Sequence, residues 1–225
     1  MRLVLATGNP GKCREFSAVL GSWGFAVIPQ SELGIGSPPE TGNTFYDNAM
    51  LKAAHARQHC TETVLADDSG LEVDALGGAP GVASACYAGP DADASANLNR
   101  LLHDLSGTPP ALRTAHFRCT LVLWPKDREL PFVAEGSCTG RILGEPRGQL
   151  GFGYDPVFEI PELGRTFAEL SPEIKDRYSH RGHALRQLHH LLTGSVWYAR
   201  HRQHFGAVGT LPGHGTGGAP SLPQA

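Results

Sequence analysis

Two adjacent acids, Asp67 and Asp68, follow a short apolar run at residues 63–66 and precede Ser69 and Gly70. Like charges this close repel one another, and burial at a strand end makes it costly to ionise both carboxyls. Paired carboxylates suit Mg²⁺, which takes oxygen ligands and often links carboxylates to the phosphates of a substrate. The same residue types are also typical of a polar turn after a strand. A metal site and an Asp-rich turn both fit this segment.

A third acid, Glu40, lies shortly before a helix predicted over residues 44–59. Its carboxylate could be a hard oxygen ligand for a metal ion. It could also be a general partner of the helix dipole, worth about 0.3–1 kcal/mol, and for Glu40 alone this is the simpler interpretation. Asn48 and Lys52 lie one turn apart at the border of the apolar stripe of this helix.

A glycine-containing loop joins a predicted strand over residues 2–6 to a predicted helix over residues 12–20. Backbone N–H groups at a helix N-terminus attract an anion, and a lysine beside them adds positive charge. The spacing excludes a Walker P-loop, so the loop is either another kind of phosphate site or a tight turn with an exposed lysine. The loop consists of Thr7, Gly8, Asn9, Pro10, Gly11 and Lys12.

The second half of the chain carries aromatic and basic residues suited to a nucleotide. Rings flanked by glycines can stack on a base, which contributes about 1–3 kcal/mol per base. Lys175, His180 and Arg181 offer N–H donors for phosphates or for the acceptor atoms of a purine. The alternative is a core aromatic residue beside a solvated, basic helix start. The aromatic segment contains Phe152, Gly153, Tyr154 and Asp155.

The hydrophobic pattern around these segments predicts an α/β fold. A strand over 2–6, a helix over 12–20 and a strand over 24–29 form a βαβ beginning. Each polar segment follows the end of a strand or helix, where α/β proteins place their ligands. The other predicted elements are a helix over 44–59, a strand over 63–66, a helix near 98–105, a hairpin of 116–123 with 130–138, and a helix near 184–192.

The composition is that of a globular protein without a dominant charge. The chain has 225 residues, a formal net charge of −3 and 40% hydrophobic residues. Non-specific binding to nucleic acid or to a membrane surface needs a dominant basic surface, so neither is predicted. No apolar run is long enough for a signal peptide or a membrane span. Five cysteines without a CxxC pair favour a reducing compartment, and we therefore expect a cytoplasmic protein.

Taken together, five segments resemble the inosine/xanthosine triphosphate pyrophosphatase family. They are LATGNPGK, ETGNTFYDNAMLKA, ADDSGLEVDALGGAPGV, GFGYDPVF and SHRGHAL, in this order, and the resemblance extends from Arg2 to about Leu192. It implies an elongated, two-lobed α/β fold, with a mixed sheet, flanking helices and a central cleft, in a homodimer. It also implies Mg²⁺-dependent hydrolysis of the non-canonical nucleotides ITP, dITP and XTP to a monophosphate and pyrophosphate, which removes them from the nucleotide pool.

The resemblance also assigns roles to the residues described above. Residues 7–12 would line the triphosphate, and Lys52 and Ser69 would contact phosphate. Glu40 and Asp68 would hold Mg²⁺, and Asp68 would be the acid/base residue that activates water. The base and sugar would be held by Phe152, Gly153, Tyr154, Asp155, Lys175, His180 and Arg181.

Two positions depart from the family pattern. Cys86 stands where the family usually has Arg, which removes five N–H donors and one charge; alternatively, Cys86 is a small buried filler. Asp47 stands where Glu is general and is shorter by one carbon. Cys86 motivates an alternative function, a nucleotide-binding protein of the same fold with little or no turnover. Acids such as Glu40 and Asp68 argue against it, because they give a pure binder of a polyanion little benefit.

The resemblance ends before the C-terminal residues, which are rich in glycine and proline and have little to bury. We expect residues 1–195 to form a single catalytic domain of two lobes. Residues 196–225 would be a C-terminal extension, disordered from about residue 206.

Overall fold

The computed structural model describes residues 1–205, which form a seven-stranded sheet with helices on both faces. Short 3-10 helices connect several elements, and one of them, Gly81–Cys86, lies beside the site described below. The strands are β1 (Arg2–Ala6), β2 (Ala26–Pro29), β3 (Thr63–Val73), β4 (Thr114–Trp124), β5 (Phe132–Ile142), β6 (Phe158–Ile160) and β7 (Arg165–Thr166). The α-helices are α1 (Pro10–Ser22), α2 (Phe45–His59), α3 (Ala94–Asp104), α4 (Pro172–Tyr178), α5 (His180–Thr193) and α6 (Val196–His201).

The sheet is mixed, with the strand order β2-β1-β3-β4-β5-β6-β7. β1 pairs in parallel with β2 and with β3, and the remaining neighbours pair antiparallel. The predicted βαβ beginning is therefore confirmed. The predicted hairpin of β4 and β5 is confirmed as well, with Phe117 opposite Cys138. The chain thus has the mixed α/β architecture expected from its sequence.

Alternating side chains of the first strands supply two separate cores, because successive residues of a strand point to opposite faces. Leu3 packs in one core with Phe16 of α1 and Leu188 of α5. Val4 packs in the other with Ala53 of α2. The sheet is therefore covered by α1 and α5 on one face and by α2 on the other.

A third core lies farther along the long strands and forms the second lobe. Leu71 of β3 and Leu101 of α3 are fully buried there with Phe158 and Phe167. The rings of Phe117 and Phe158 lie 4.5 Å apart. Because β3, β4 and β5 run through both regions, one continuous sheet carries the two lobes of the elongated fold.

The largest difference from the predicted elements concerns β3. The strand was expected over 63–66 with a polar loop after it, but it continues to Val73. Asp67 and Asp68 lie opposite Leu121 and Thr120 of β4, within the ladder of the sheet. An Asp-rich turn at this position is therefore wrong. The two acids are tolerated inside a strand because alternation sends their carboxylates to opposite faces.

Residues near the C-terminus continue the packed structure. α6 follows α5, and Trp197 and Phe205 are buried in the core beneath α1 and α5. The domain boundary predicted at residue 195 stays a prediction, and the disorder predicted from residue 206 lies outside the described residues. Within residues 1–205, no helix combines the length and apolar character that crossing a membrane requires.

Candidate active site

A cleft of about 470 Å³ opens between the two lobes and brings most of the predicted site residues together. Gly11 and Lys175 are the two predicted residues that do not line it. The predicted residues in its wall are Thr7, Gly8, Asn9, Pro10, Lys12, Glu40, Lys52, Asp68, Ser69, Phe152, Gly153, Tyr154, Asp155, His180 and Arg181. The wall also contains Ser37, Gly70, Val82, Ser84, Ala85 and Phe117, which the sequence did not indicate.

The two acids of β3 point to opposite faces of the strand, and of the two only Asp68 lines the cleft. Asp67, fully buried, accepts from Lys12 Nζ at 2.7 Å and from Ser69 Oγ at 3.2 Å, both at Oδ2. Burial alone would raise the pKa of Asp67, but Lys12 and Lys52 outweigh it and hold the pKa below its ordinary value. Asp68, on the opposite face, accepts from Lys52 Nζ at 2.8 Å. Each acid therefore has its own lysine.

Asp68 is fixed by contacts from α2. Asn48 Nδ2 donates to Asp68 Oδ2 at 3.3 Å, and Asn48 Oδ1 accepts from the N–H of Gly42 at 2.8 Å. Lys52 Nζ also reaches Glu40 Oε1 at 3.1 Å, so one ammonium joins two carboxylates. Burial raises the pKa of Asp68, against the opposing effect of Lys52. A raised pKa makes the Asp68 carboxylate a stronger base than an exposed one.

The glycine loop differs in detail from the anion site that its position predicts. α1 begins at Pro10, and the N–H groups of Gly11 and Lys12 both donate to Oδ1 of its N-cap, Asn9, at 2.8 and 3.1 Å. These helix N-terminal donors are therefore used within the loop. Positive charge towards the cleft comes from the Lys12 side chain and from the helix dipole.

Gly11 supports the cleft from behind, by making room for Phe152. A Cβ atom at Gly11 would lie 2.6 Å from Cδ1 of Phe152, too close for any larger residue without a shift of the ring. Lys175 Nζ and Arg181 Cζ lie 5.0 and 4.9 Å from the centroid of the Phe152 ring. The aromatic ring is therefore held between α1 and two cations, with one side on the cleft.

Glu15 of α1 is a functional candidate that the sequence analysis did not identify. Its carboxylate accepts from Lys175 Nζ at 2.8 Å and from Arg181 Nε. Lys175 also donates to Asp155 Oδ2 at 2.7 Å, and Asp155 Oδ2 accepts from the N–H of Phe152 at 2.8 Å. Burial would raise the pKa of Glu15, but Arg181 and Lys175 outweigh it and lower the pKa. The basic residues predicted to meet a ligand are thus oriented by two acids.

His180 is completely buried and is neutral. Its ring stacks on Phe117, with 4.5 Å between centroids and 9° between planes. Burial, together with Arg181 and Lys175, holds its pKa well below the ordinary value. Arg181 Nη1 lies 2.8 Å from Nε2 and can only donate, so Nε2 accepts and the proton resides on Nδ1. Nδ1 is buried and has no hydrogen-bond partner among the described residues.

The opposite wall of the cleft is the 3-10 helix Gly81–Cys86, which Tyr154 ties to the aromatic segment. The hydroxyl of Tyr154 donates to the carbonyl of Ser84 at 2.9 Å, and Ser84 Oγ in turn accepts from the N–H of Leu71 at 2.8 Å. Cys86, at the end of this helix, is exposed and does not line the cleft. The alternative of a buried filler at this position is therefore wrong.

The donor set of the cleft fits a divalent cation that is shared with a ligand. In residues 1–205 no group of three or more Asp, Glu, His or Cys side chains is arranged to hold a metal alone. Glu40 and Asp68 supply two carboxylates at one place. Mg²⁺ is commonly bound by one or two carboxylates together with substrate phosphates and water. The cleft thus combines two acids for a metal, two lysines for an anion and an aromatic wall with neighbouring donors.

The chain is similar in sequence to proteins named dITP/XTP pyrophosphatase. It is 52% identical over 195 residues to a dITP/XTP pyrophosphatase of Thioalkalivibrio sulfidiphilus, covering 86% of this chain and 100% of the relative. A dITP/XTP pyrophosphatase of Halorhodospira halophila is 51% identical over 189 residues, covering 84% of this chain and 95% of the relative.

Solved structures agree with the sequence comparison. A HAM1 protein from Coxiella burnetii superposes with a TM-score of 0.78 at 41% identity, covering 87% of this chain and 100% of that protein. A dITP/XTP pyrophosphatase from Mycobacterium abscessus gives a TM-score of 0.66 at 43% identity, covering 84% and 97%. The family model described as Ham1 matches residues 3–191, a span that includes every residue of the cleft wall. The chain therefore belongs to the Ham1 family.

Proposed function

We propose that this chain hydrolyses ITP, dITP and XTP at the α–β phosphoanhydride, giving the nucleoside monophosphate and pyrophosphate. One observation carries the proposal. At one end of a single cleft lie the acids Glu40 and Asp68 with two lysines. At the other end lie the aromatic ring of Phe152 and N–H donors suited to a purine. This is the chemistry that a purine triphosphate requires, and the relatives named dITP/XTP pyrophosphatase are about half identical to the chain.

The acid and lysine end of the cleft supports hydrolysis. A triphosphate repels an attacking hydroxide, so its charge must first be neutralised, and Lys12 and Lys52 supply ammonium groups for this. Asp68, fixed by Asn48, accepts a proton from the attacking water while the bond between the α-phosphate and pyrophosphate breaks. Glu40 and Asp68 are the residues that would hold Mg²⁺, which stabilises phosphate charge and lowers the pKa of bound water.

The other end of the cleft supports selection of a 6-oxo purine. Phe152 offers a ring for stacking, and Arg181 lines the cleft as a donor that suits a purine carbonyl. Lys175 and His180 lie against Arg181 and would support this end of the cleft from behind. Adenine presents an amino donor at this position, which would leave buried donors unpaired at a cost of about 1–3 kcal/mol each. Selection against guanine, whose 6-oxo group is the same, depends on its 2-amino group.

The family resemblance supports a requirement for Mg²⁺, a homodimer and a single catalytic domain over residues 1–195. The net charge and the cysteine content support no role in nucleic-acid binding and a cytoplasmic location. The alternative is a nucleotide-binding protein of the same fold with little turnover, and Cys86 in place of the family's Arg is the observation that favours it. The exposed position of Cys86 outside the cleft wall weakens that alternative.

Pyrophosphate release from ITP, dITP, XTP, GTP and ATP tests the proposal, each with and without Mg²⁺. We expect Mg²⁺-dependent turnover, with kcat/KM for ITP, dITP and XTP well above that for GTP and ATP. Binding of ITP without release of pyrophosphate from any nucleotide would support the binding protein instead, and the variant Cys86→Arg would then be tested for recovery of activity.

A further inference from the structure

The ammonium of Lys52 lies between the two acids that the proposed function assigns to Mg²⁺. It is 2.8 Å from Asp68 Oδ1 and 3.1 Å from Glu40 Oε1. Lys52 and Asp68 are both buried, with 6% and 4% of their surfaces exposed, so water screens this pair weakly. One cation thus already satisfies both carboxylates.

Lys52 and a divalent cation cannot both occupy this position. Mg²⁺ binds oxygen at about 2.0–2.1 Å. A carboxylate oxygen that binds Mg²⁺ at this distance would bring the metal close to an ammonium bonded to the same oxygen, and the two cations would repel strongly in a poorly screened site. A metal that takes Asp68 Oδ1 and Glu40 Oε1 would therefore displace Lys52 from both acids.

The Asp68 carboxylate has a second contact, which does not depend on Lys52. Asp68 is held through Oδ2 by Asn48, which also accepts from the N–H of Gly42 in the segment that carries Glu40. A Cβ atom at Gly42 would lie 2.7 Å from Asn48 Oδ1, so this segment is packed tightly against α2. The lysine, in contrast, has a flexible four-carbon stem and three rotatable donors.

An anion in the cleft would give the displaced ammonium a new partner. Lys52 lines the same cleft as Lys12 and the loop residues Thr7 to Pro10. A triphosphate bound there would present charged oxygens to the lysine at the moment when Glu40 and Asp68 bind the metal. Binding of nucleotide would thereby remove the competitor for the metal, and binding of metal would release a lysine for the nucleotide.

We propose that Lys52 is an exchangeable placeholder cation, which holds Glu40 and Asp68 together and passes from them to the triphosphate when a divalent metal binds. This inference rests on the proposed function, since that function supplies the metal and the triphosphate. Metal and nucleotide then strengthen each other's binding by the same factor, as linkage requires.

The first test is metal affinity without nucleotide. Mn²⁺, in place of Mg²⁺, is titrated into the full chain and the free ion is followed by its electron paramagnetic resonance signal. Lys52→Met keeps an unbranched side chain, shorter by one heavy atom, and removes the competing ammonium, so Kd for Mn²⁺ should fall by about tenfold or more relative to the unmodified chain. An unchanged or weaker affinity in Lys52→Met would overturn the proposal.

Lys12→Met is the matched control. It removes the same charge from the same cleft, but Lys12 pairs with Asp67 on the opposite face of β3, at 2.7 Å. Its affinity for Mn²⁺ should change by less than about threefold, because only the general field of the cleft is altered. Equal tightening in both lysine variants would mean that overall charge, rather than exchange at Glu40 and Asp68, sets metal affinity.

Thermal stability gives a second readout that does not require turnover. Removal of Lys52 leaves Asp68 buried without its cation, so Tm of Lys52→Met and of the polar variant Lys52→Gln should fall. Saturating Mn²⁺ should then raise Tm of both variants more than it raises Tm of the unmodified chain. An equal rise in Tm in all three proteins would contradict competition between Lys52 and the metal.

The coupling between metal and nucleotide completes the test. The affinity of an ITP analogue with a methylene group between the α- and β-phosphates is measured with and without Mn²⁺. The gain in analogue affinity from Mn²⁺ should be about tenfold smaller in Lys52→Met than in the unmodified chain. One outcome is that the unmodified chain releases no pyrophosphate while Lys52→Met binds Mn²⁺ more tightly. That result would contradict the proposed function and still support the exchange of Lys52 for a metal at Glu40 and Asp68.

Discussion

At the residue scale, the cleft is defined by acids and bases that neutralise one another. Asp67 pairs with Lys12, Asp68 with Lys52, and Glu15 with Arg181. Loss of one partner from a buried pair leaves an uncompensated charge and commonly costs about 3–5 kcal/mol. Substitutions in the cleft are therefore best made to residues of the same size, with stability measured beside activity.

Glu15 is expected to act as a positioning residue for the base end of the cleft. Glu15→Gln keeps the size of the side chain but weakens its hold on Lys175 and Arg181. KM for ITP should rise by about tenfold, with a smaller change in kcat, because charge-assisted hydrogen bonds contribute about 1.5–3 kcal/mol. Glu32→Gln, at an exposed glutamate, is the matched control. Unaltered steady-state kinetics in Glu15→Gln would refute this role.

The neutral state of His180 predicts a dependence of stability on pH. Its pKa is low in the folded chain and about 6.5 in the unfolded chain, so below pH 6.5 the unfolded state binds the extra proton. The contribution of neutral His180 to the free energy of unfolding should therefore be fully present above pH 6.5. It should be lost at lower pH, by about 1.4 kcal/mol per pH unit. The free energy of unfolding, measured with urea between pH 7 and pH 5, should depend less steeply on pH in His180→Gln than in the unmodified chain. The same dependence on pH in both proteins would exclude His180 as a source of the loss.

At the element scale, β3 marks the limit of what could be predicted from sequence. Its apolar start at 63–66 gave a clear strand, but the acids that follow look like a strand end. The strand continues because Lys12 from α1 and Lys52 from α2 neutralise Asp67 and Asp68 on opposite faces. These partners lie in other elements, and a local pattern contains no information about them.

Glu15 was missed for a similar reason. It lies among the polar residues of α1, where the helical pattern indicates a solvated face, yet its partner Arg181 is 166 positions away. The motifs carrying Lys12, Lys52 and Asp68 were identifiable because their residue types are unusual beside glycine or within an apolar stripe. The network behind the cleft carries no such local signal, so only the tertiary structure reveals it.

α6 is expected to stabilise the fold without taking part in the chemistry. Trp197 Nε1 donates to Asp127 Oδ1 at 2.7 Å, which joins α6 to the turn between β4 and β5. Trp197→Phe should lower the free energy of unfolding by about 1–2 kcal/mol more than Trp23→Phe, with kcat unchanged. Trp23 is a matched control, since it is buried and its Nε1 has no partner among the described residues. Equal losses in urea unfolding would mean that the hydrogen bond adds nothing.

At the scale of the whole molecule, the cleft results from two lobes built on one sheet. β3 carries Asp68 between the core under α2 and the core around Phe158. Tyr154 and Ser84 close the far wall with one hydrogen bond. The general architecture could be predicted from the order of strands and helices, because parallel strands need a long connection and antiparallel strands a short one. The relative position of the two ends of the site could not be predicted, because it depends on how the two lobes pack together.

We propose that Asp68 activates water for cleavage between the α- and β-phosphates of ITP. It is tested most directly by product analysis of ITP incubated with the unmodified chain and with Asp68→Asn. We expect IMP and pyrophosphate in equal amounts from the unmodified chain, and a fall in kcat of about 10²–10⁴-fold in the folded variant. Formation of IDP and phosphate, or near-normal turnover by Asp68→Asn, would contradict it.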